Sequence, residues 1–141
     1  MKRSASAAWQ GDLKSGKGMV STDSGVLTNQ QYSFGTRFEN GKGTNPEELI
    51  AAAHAGCFTM ALSAQLGNAG LTPESLETKA TVTLDKLEAG WAVTHILLDV
   101  KGRVPKADQV AWDKATQAAK TGCPISKLLN TNIEMHAKLE G

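Results

Sequence analysis

Hydrophobic and polar positions change their period several times along the chain, and each change predicts an element. The longest departure from alternation is Leu49 to Leu66, apolar or small on nearly every face, with no charged side chain between Glu48 and Glu74. A helix apolar all round is a buried helix. Its start is marked by Asn45, a good N-cap, and by Pro46 at the first helical position, where a missing N–H costs nothing. Glu47 and Glu48 fall in the first turn, where the helix dipole favours negative charge, and Glu48 gives a capping-box-like spacing from Asn45. Gly67-Asn68-Ala69-Gly70 marks its end. Residues 45–67 are therefore expected to form one central helix. His54, Ser63 and Gln65 interrupt the run and no basic anchor flanks it, so it reads as a core helix and not a membrane span. A chain of 141 residues can supply only part of the cover such a helix needs, and dimerisation is the simple remedy.

On either side the period is that of strands. Residues 1–43 read as a small antiparallel sheet built from Ala5–Trp9, Gly16–Thr22 and Gln31–Phe38. In the third run Tyr32, Phe34, Thr36 and Phe38 face one way, and Ser33, Gly35 and Arg37 the other. Residues 74–141 read as a second sheet with two helices. Leu76–Leu87 and Trp91–Val104 form a hairpin about Glu88-Ala89-Gly90, the return strand apolar on both faces and so inside the sheet. Val110, Ala111, Ala115, Ala118 and Ala119 recur at helical spacing in a helix over 108–121. Residues 124–130 form a short helix with Cys123 at its cap and Pro124 at its first position, and Thr131–Leu139 alternates as a final strand. The fold class is α+β, and the expectation is one domain over 1–141.

Composition narrows the function. Hydrophobic residues make up 40% and charged residues 21%, which is globular. A net charge of +1 gives no electrostatic reason to expect nucleic acid or an anionic membrane as partner. Met1-Lys2-Arg3-Ser4-Ala5 is basic but no apolar segment follows, so a cytoplasmic location is expected. His54, His95 and His136 are scattered without ligand spacing, and no phosphate loop or GxSxG elbow is present, so neither a metal nor a cofactor is expected. His54 on an alanine-rich face reads as a core histidine, and Trp9, Trp91 and Trp112 as packing residues.

The two cysteines carry the remaining chemistry. In the cytosol they are thiols, and the plain reading of each is a small buried hydrophobe. Cys123 at a helix N-terminus has a local reason to be a thiolate, although it could equally serve only as a cap. Cys57 lies mid-helix, where desolvation raises a thiol, so a reactive Cys57 needs a cation from elsewhere. Arg37 is a candidate, against its reading as an ordinary exposed strand arginine.

The stretch Asn45-Pro46-Glu47-Glu48-Leu49, then His54-Ala55-Gly56-Cys57-Phe58, and later Ala119-Lys120-Thr121-Gly122-Cys123-Pro124-Ile125-Ser126, resembles the osmotically inducible protein C (OsmC) family. That family includes the organic hydroperoxide resistance (Ohr) proteins. The similarity extends over essentially the whole chain, and His54, where Ohr proteins tend to carry Tyr, leans to the OsmC branch. The resemblance implies a thiol peroxidase acting on organic hydroperoxides and hydrogen peroxide. It implies an intertwined homodimer, with antiparallel sheets wrapped around long central helices. Carried over by motif, Cys57 is the peroxidatic cysteine, Cys123 the resolving one, Arg37 the activating arginine and Glu47 the carboxylate that orients it. An external dithiol, a lipoyl protein or a small thiol, is the implied reductant. Glu47 and Cys57 lie ten residues apart, about 15 Å along a straight helix, so the Arg37–Glu47 pair serving one Cys57 is expected from the other subunit. Two other readings stand beside the peroxidase: a non-enzymatic module binding hydrophobic ligands or acting in a stress response, and a cysteine hydrolase using His54 and Cys57, for which no orienting acid is visible.

Overall fold

Ten elements make up the computed structural model, which describes residues 1–141. They group into two compact units, Met1–Leu49 and Ile50–Gly141.

The first unit is a three-stranded antiparallel meander, β1 (Ala5–Gln10), β2 (Lys17–Thr22) and β3 (Gln30–Tyr32), followed by a one-turn helix α1 (Phe34–Phe38). Trp9, Gly18 and Tyr32 lie side by side in the register. The two rings close over the glycine with centroids 5.5 Å apart, and a Cβ on Gly18 would come within 2.5 Å of the Tyr32 ring. Trp9 Nε1 donates to Gly11 O at 3.0 Å, and Asp12 Oδ1 accepts the Ser15 N–H at 2.8 Å, which closes the β1–β2 turn.

The expected strand Gln31–Phe38 is only partly a strand: it ends at Tyr32 and gives way to α1. The physical reason is local. Ser33 Oγ accepts the Thr36 N–H at 3.3 Å, and Thr36 Oγ1 accepts the Ser33 N–H at 2.8 Å. This reciprocal capping box satisfies two backbone donors at once and favours a helical turn over the ladder. Phe34 and Phe38, two residues of the apparent alternation, are also one helical turn apart, and their rings meet at 4.9 Å.

Helix α2 (Pro46–Asn68) begins at the end of the first unit and runs through the second. Asn45 caps it as expected, its Oδ1 accepting the Glu48 N–H at 2.8 Å. Glu48 does not close the box; its carboxylate accepts the Thr44 hydroxyl at 2.9 Å instead.

In the second unit, β4 (Ser75–Leu87) and β5 (Gly90–Arg103) form the expected hairpin, with a register shift between Thr83 and Leu84. β5 is the middle strand, and β6 (Asn132–Glu140) pairs with it in parallel, so this sheet is mixed where purely antiparallel pairing is expected. A parallel neighbour needs a long crossover. Helices α3 (Gln109–Gly122) and α4 (Pro124–Leu128) supply it. Asp108 caps α3 by accepting the Ala111 N–H at 2.7 Å.

The core of this unit comprises Phe58, Leu62 and Leu66 of α2, Ile96, Leu98 and Val100 of β5, and Trp112, Ala115 and Ala119 of α3. Trp112 covers Gly102, where a Cβ would lie 2.6 Å from the indole. Trp91, expected to pack, is half exposed. Beyond its first turn, where Glu47 is buried, helix α2 buries a single stripe, His54, Phe58, Leu62 and Leu66, spaced by four. Its other side, Ala52, Ala53, Gly56, Met60, Ser63, Ala64 and Gly67, is exposed, with Met60 at 77%. Burial on all sides is therefore not met within one chain. The helix is long and apolar enough to cross a membrane, but its buried stripe is that of a core helix.

Candidate functional site: a dithiol and an arginine–glutamate pair

In the first unit the capping box turns α1 so that Arg37 projects toward the opening turn of α2. Asn45 ties the two together, its Nδ2 donating to Thr36 O at 2.8 Å while its oxygen caps α2. Glu47 is 9% exposed. Arg37 grips it along one edge of the guanidinium: Nη2 donates to Oε1 at 2.9 Å, and Nε to Oε1 and Oε2 at 3.2 Å each. A forked contact of this kind fixes the plane of the guanidinium and leaves its remaining donors free to face another anion. Arg37 Cζ also lies 5.4 Å from the Phe38 ring centroid. The reading of Arg37 as an ordinary strand arginine is thus corrected: it sits in a capped helical turn and is held by a buried carboxylate. Beside it opens a cleft of about 330 Å³ lined by Trp9, Leu13, Tyr32, Phe34, Phe38 and Arg37.

In the second unit the sulfurs of Cys57 and Cys123 lie 2.7 Å apart, and both are free. Cys57 comes from the middle of α2. Cys123 joins α3 to α4: its N–H still donates to Ala119 O at 3.0 Å, closing α3, and it serves as N-cap of α4 with Pro124 next. Cys123 is 0% exposed, whereas Cys57 is partly exposed.

The two thiols are driven apart in acidity. Burial pushes the Cys57 thiol up, and Cys123 beside it pushes it further, against a weaker opposing pull from the Ile125 N–H. Burial also acts upward on Cys123, but it is outweighed by hydrogen bonding from Cys57, from the Ser126 N–H and hydroxyl, and from the Ile125 N–H, so that this thiol lies below its ordinary value. No single donor makes a strictly aligned cap hydrogen bond to Cys123 Sγ; the pull is the sum of several donors converging at a helix start. At 2.7 Å either sulfur could donate to the other.

His54, one turn before Cys57, is fully buried and its Nε2 lies 2.8 Å from Ser126 Oγ. Its Nδ1 has no partner, and burial pushes its pKa down, so the ring is neutral. It is a core histidine as expected, but only half satisfied. Ser126 lies inside the cysteine motif, yet its chemistry is missed in the sequence reading; the available signal is its place three residues past the N-cap, where a side chain turns back toward the cap. His95 and His136, isolated in sequence, both reach Glu134 on the sheet surface, at 3.6 and 2.9 Å.

Comparison with known proteins places these features in a family. A family model described as OsmC-like protein matches residues 39–138. A protein of Escherichia coli (strain K12) named peroxiredoxin OsmC is 55% identical over 134 residues, covering 95% of this chain and 94% of its own length. The organic hydroperoxide resistance protein OhrB of Bacillus subtilis is 26% identical over 87% of this chain and 89% of its own. The crystal structure of that OhrB superposes with a TM-score of 0.68, covering 97% of this chain and 98% of the other at 25% identity. An OsmC-like protein of unknown function from Vibrio cholerae superposes with a TM-score of 0.77 at 18% identity, covering 97% of this chain and 99% of the other, and shows the fold alone.

Proposed function

Because the chain belongs to the OsmC-like protein family, we propose that it is a thiol peroxidase that works through a Cys57 sulfenic acid and a Cys57–Cys123 disulfide. The Cys57 thiolate attacks the distal oxygen of a hydroperoxide. The O–O bond breaks, the alkoxide leaves and takes up a proton as the alcohol, and Cys57 is left as the sulfenic acid. Cys123 then attacks the Cys57 sulfur and expels water, and the disulfide protects Cys57 from irreversible over-oxidation. An external dithiol restores both thiols by exchange.

The observation that carries this reading is the pair of free sulfurs 2.7 Å apart, one partly exposed and one buried. The second step needs no change of backbone to bring them together. The first step needs a cation, because burial raises the Cys57 thiol. Arg37, permanently charged and held by Glu47, is the candidate. The proposed source of the cation is a second copy of the chain, a reading supported by the ten-residue separation of Glu47 and Cys57 along α2. The same second copy covers the exposed small-residue face of α2, so the working form is a homodimer. The aromatic cleft beside Arg37 favours organic hydroperoxides, whose apolar part it would take. The reaction is placed in the cytoplasm, where a dithiol reductant is at hand.

Peroxide treatment tests the reading. One equivalent should remove both free thiols and two hydrogen masses, with Cys57 and Cys123 linked within one chain. A protein that keeps both thiols under organic hydroperoxide is no peroxidase. The cleft then favours the second reading, a module that binds hydrophobic ligands without turnover, seen as binding of an alcohol or fatty acid unaffected by Cys57→Ser.

A further inference from the structure

Two contacts join α2 to the start of α4. One is the pair of sulfurs, Cys57 and Cys123, 2.7 Å apart. The other is His54 Nε2 and Ser126 Oγ, buried and 2.8 Å apart. On each element the two groups stand three positions apart: His54 and Cys57 along α2, Cys123 and Ser126 at the N-cap and third position of α4. Residues so spaced lie on one face of a helix. The two contacts are therefore rungs between the same two faces, one of sulfur and one polar. The polar rung is the one hydrogen bond that a side chain of α4 makes with another element.

Little else fixes α4 in place. It is five residues long and its N-cap makes no side-chain hydrogen bond. A helix so short does not hold its shape alone. Ile125 and Leu129 pack partly against the core, Leu128 is exposed, and the one buried residue of α4 is the polar Ser126. Apolar contacts keep a short helix near the core. A buried hydrogen bond fixes where it sits, because sliding leaves two polar groups without partners. Cys123 stands at the head of α4, so what anchors Ser126 also anchors Cys123. We propose that His54 and Ser126 are positioning residues for the resolving step: their hydrogen bond holds Cys123 against Cys57, and so decides whether a Cys57 sulfenic acid closes to the disulfide or is oxidised again. This rests on the peroxidase reading and adds what sets its tolerance to peroxide.

Two reactions compete for the sulfenic acid. In one, the Cys123 sulfur attacks the Cys57 sulfur and the S–O bond breaks. The hydroxyl of the sulfenic acid leaves as water, taking up the Cys123 proton. In the other, a second hydroperoxide gives up one oxygen. Its O–O bond breaks, the Cys57 sulfur loses two electrons and becomes the sulfinic acid, and the alcohol is released. The first reaction is intramolecular, and its rate follows the fraction of time Cys123 spends in contact. The second rises with peroxide concentration. Loosening α4 therefore slows the first and leaves the field to the second. In the disulfide the covalent bond itself holds α4, so the polar rung matters most in the dithiol, and its loss also makes disulfide formation less favourable at equilibrium.

The test reads that competition directly. Reduced protein, with no reductant added, receives single pulses of cumene hydroperoxide at graded concentrations, and mass spectrometry counts disulfide against sulfinic acid on Cys57. In His54→Leu and in Ser126→Ala, the concentration giving half sulfinic acid should fall by about 2- to 10-fold, the worth of one intramolecular hydrogen bond. Ser126→Thr, which keeps the hydroxyl, should stay near the unmutated value. The double variant His54→Leu/Ser126→Ala leaves no buried polar group unpaired, so it keeps the fold and should show the same fall. In a glutathione redox buffer without peroxide, the disulfide of that double variant should be disfavoured by a similar factor. The fall should be as large above neutral pH as at neutrality, since placement does not titrate. An unchanged half-point in the folded double variant, or a fall that vanishes at higher pH, overturns the assignment and leaves the peroxidase standing. An unmutated protein that gives neither disulfide nor sulfinic acid with peroxide removes the peroxidase itself, and the glutathione equilibrium then decides the positioning role alone.

Discussion

Cys57 and Cys123 are the same chemical group 2.7 Å apart, and almost everything around them differs. Cys57 sits in the middle of a helix whose own N–H groups are spent on the α-helical ladder, so burial raises it and little opposes the rise. Cys123 is the more buried of the two, yet it lies where a helix begins and the N–H groups have no intrahelical acceptor. Depth alone would make Cys123 the weaker acid; the hydrogen bond from Cys57, with the donors at the start of α4, reverses the order. A thiol's acidity thus depends on which donors face it, and a reactive mid-helix cysteine must import its charge. On the proposed mechanism that charge comes from Arg37, held by Glu47, both of which lie in the other compact unit.

The largest effect should come from erasing one side of the contrast. Cys57→Ser should lower peroxide turnover by about three orders of magnitude or more in a steady-state assay. Cys123→Ser should keep the first turnover and then accumulate sulfinic acid on Cys57, read by mass spectrometry; a disulfide to another partner in its place would break the assignment of Cys123 as resolving thiol. Next is the imported charge. Arg37→Ala should slow the peroxide step by about 10- to 100-fold, and Arg37→Lys should recover only part of it, because an ammonium cannot hold Glu47 and face a sulfur in one plane. Mixing Arg37→Ala with Cys57→Ser protein tests the second copy: exchange of subunits should restore activity.

Smaller effects concern the scaffold that holds the pair. Phe58→Ala, next to Cys57 and fully buried, should cost about 3–5 kcal/mol in urea unfolding. Met60→Glu, on the opposite and exposed face of the same helix, should leave the fold of the chain intact but shift sedimentation toward the monomer. The smallest effect is on pH. His54 is held neutral by burial, so its pKa in the folded state lies below the ordinary value of 6.5. The unfolded chain then binds the extra proton first; the stabilisation is complete above about pH 6.5 and is lost as pH falls through that value toward the folded one. The urea midpoint should fall over that range, and His54→Gln should flatten the fall.

Much of this was legible in the residues because the signals are local. Asn45-Pro46 at the start of α2, Asp108 before α3, Glu88-Ala89-Gly90 between β4 and β5, and Cys123-Pro124 before α4 are caps and turns that act within a few positions. Gln31–Phe38 was ambiguous because its aromatics fit both periods, and the deciding box between Ser33 and Thr36 is one hydroxyl pair within an alternating run. The parallel direction of β6 is not written in its alternation, which is the same whichever way a strand runs. One-sided cover of α2 could not be read from a run that is apolar on all sides. The contact of Ser126 with His54 joins residues distant in sequence, and no spacing rule predicts it.

The parallel pairing of β6 has a consequence for how the two cysteines come to lie together. Cys123 rides on the connection between the second and third strands of its sheet, which packs on the core through Trp112, Ala115 and Ala119 and is closed by the C-terminal strand. Such long-range closure is late and slow among folding events. On the peroxidase reading, a molecule in which this crossover had not closed would carry Cys57 without its neighbour, and oxidation there would run on to the irreversible acids. On the peroxidase reading, closing this crossover with Asn132–Glu140 and handling oxidant safely go together.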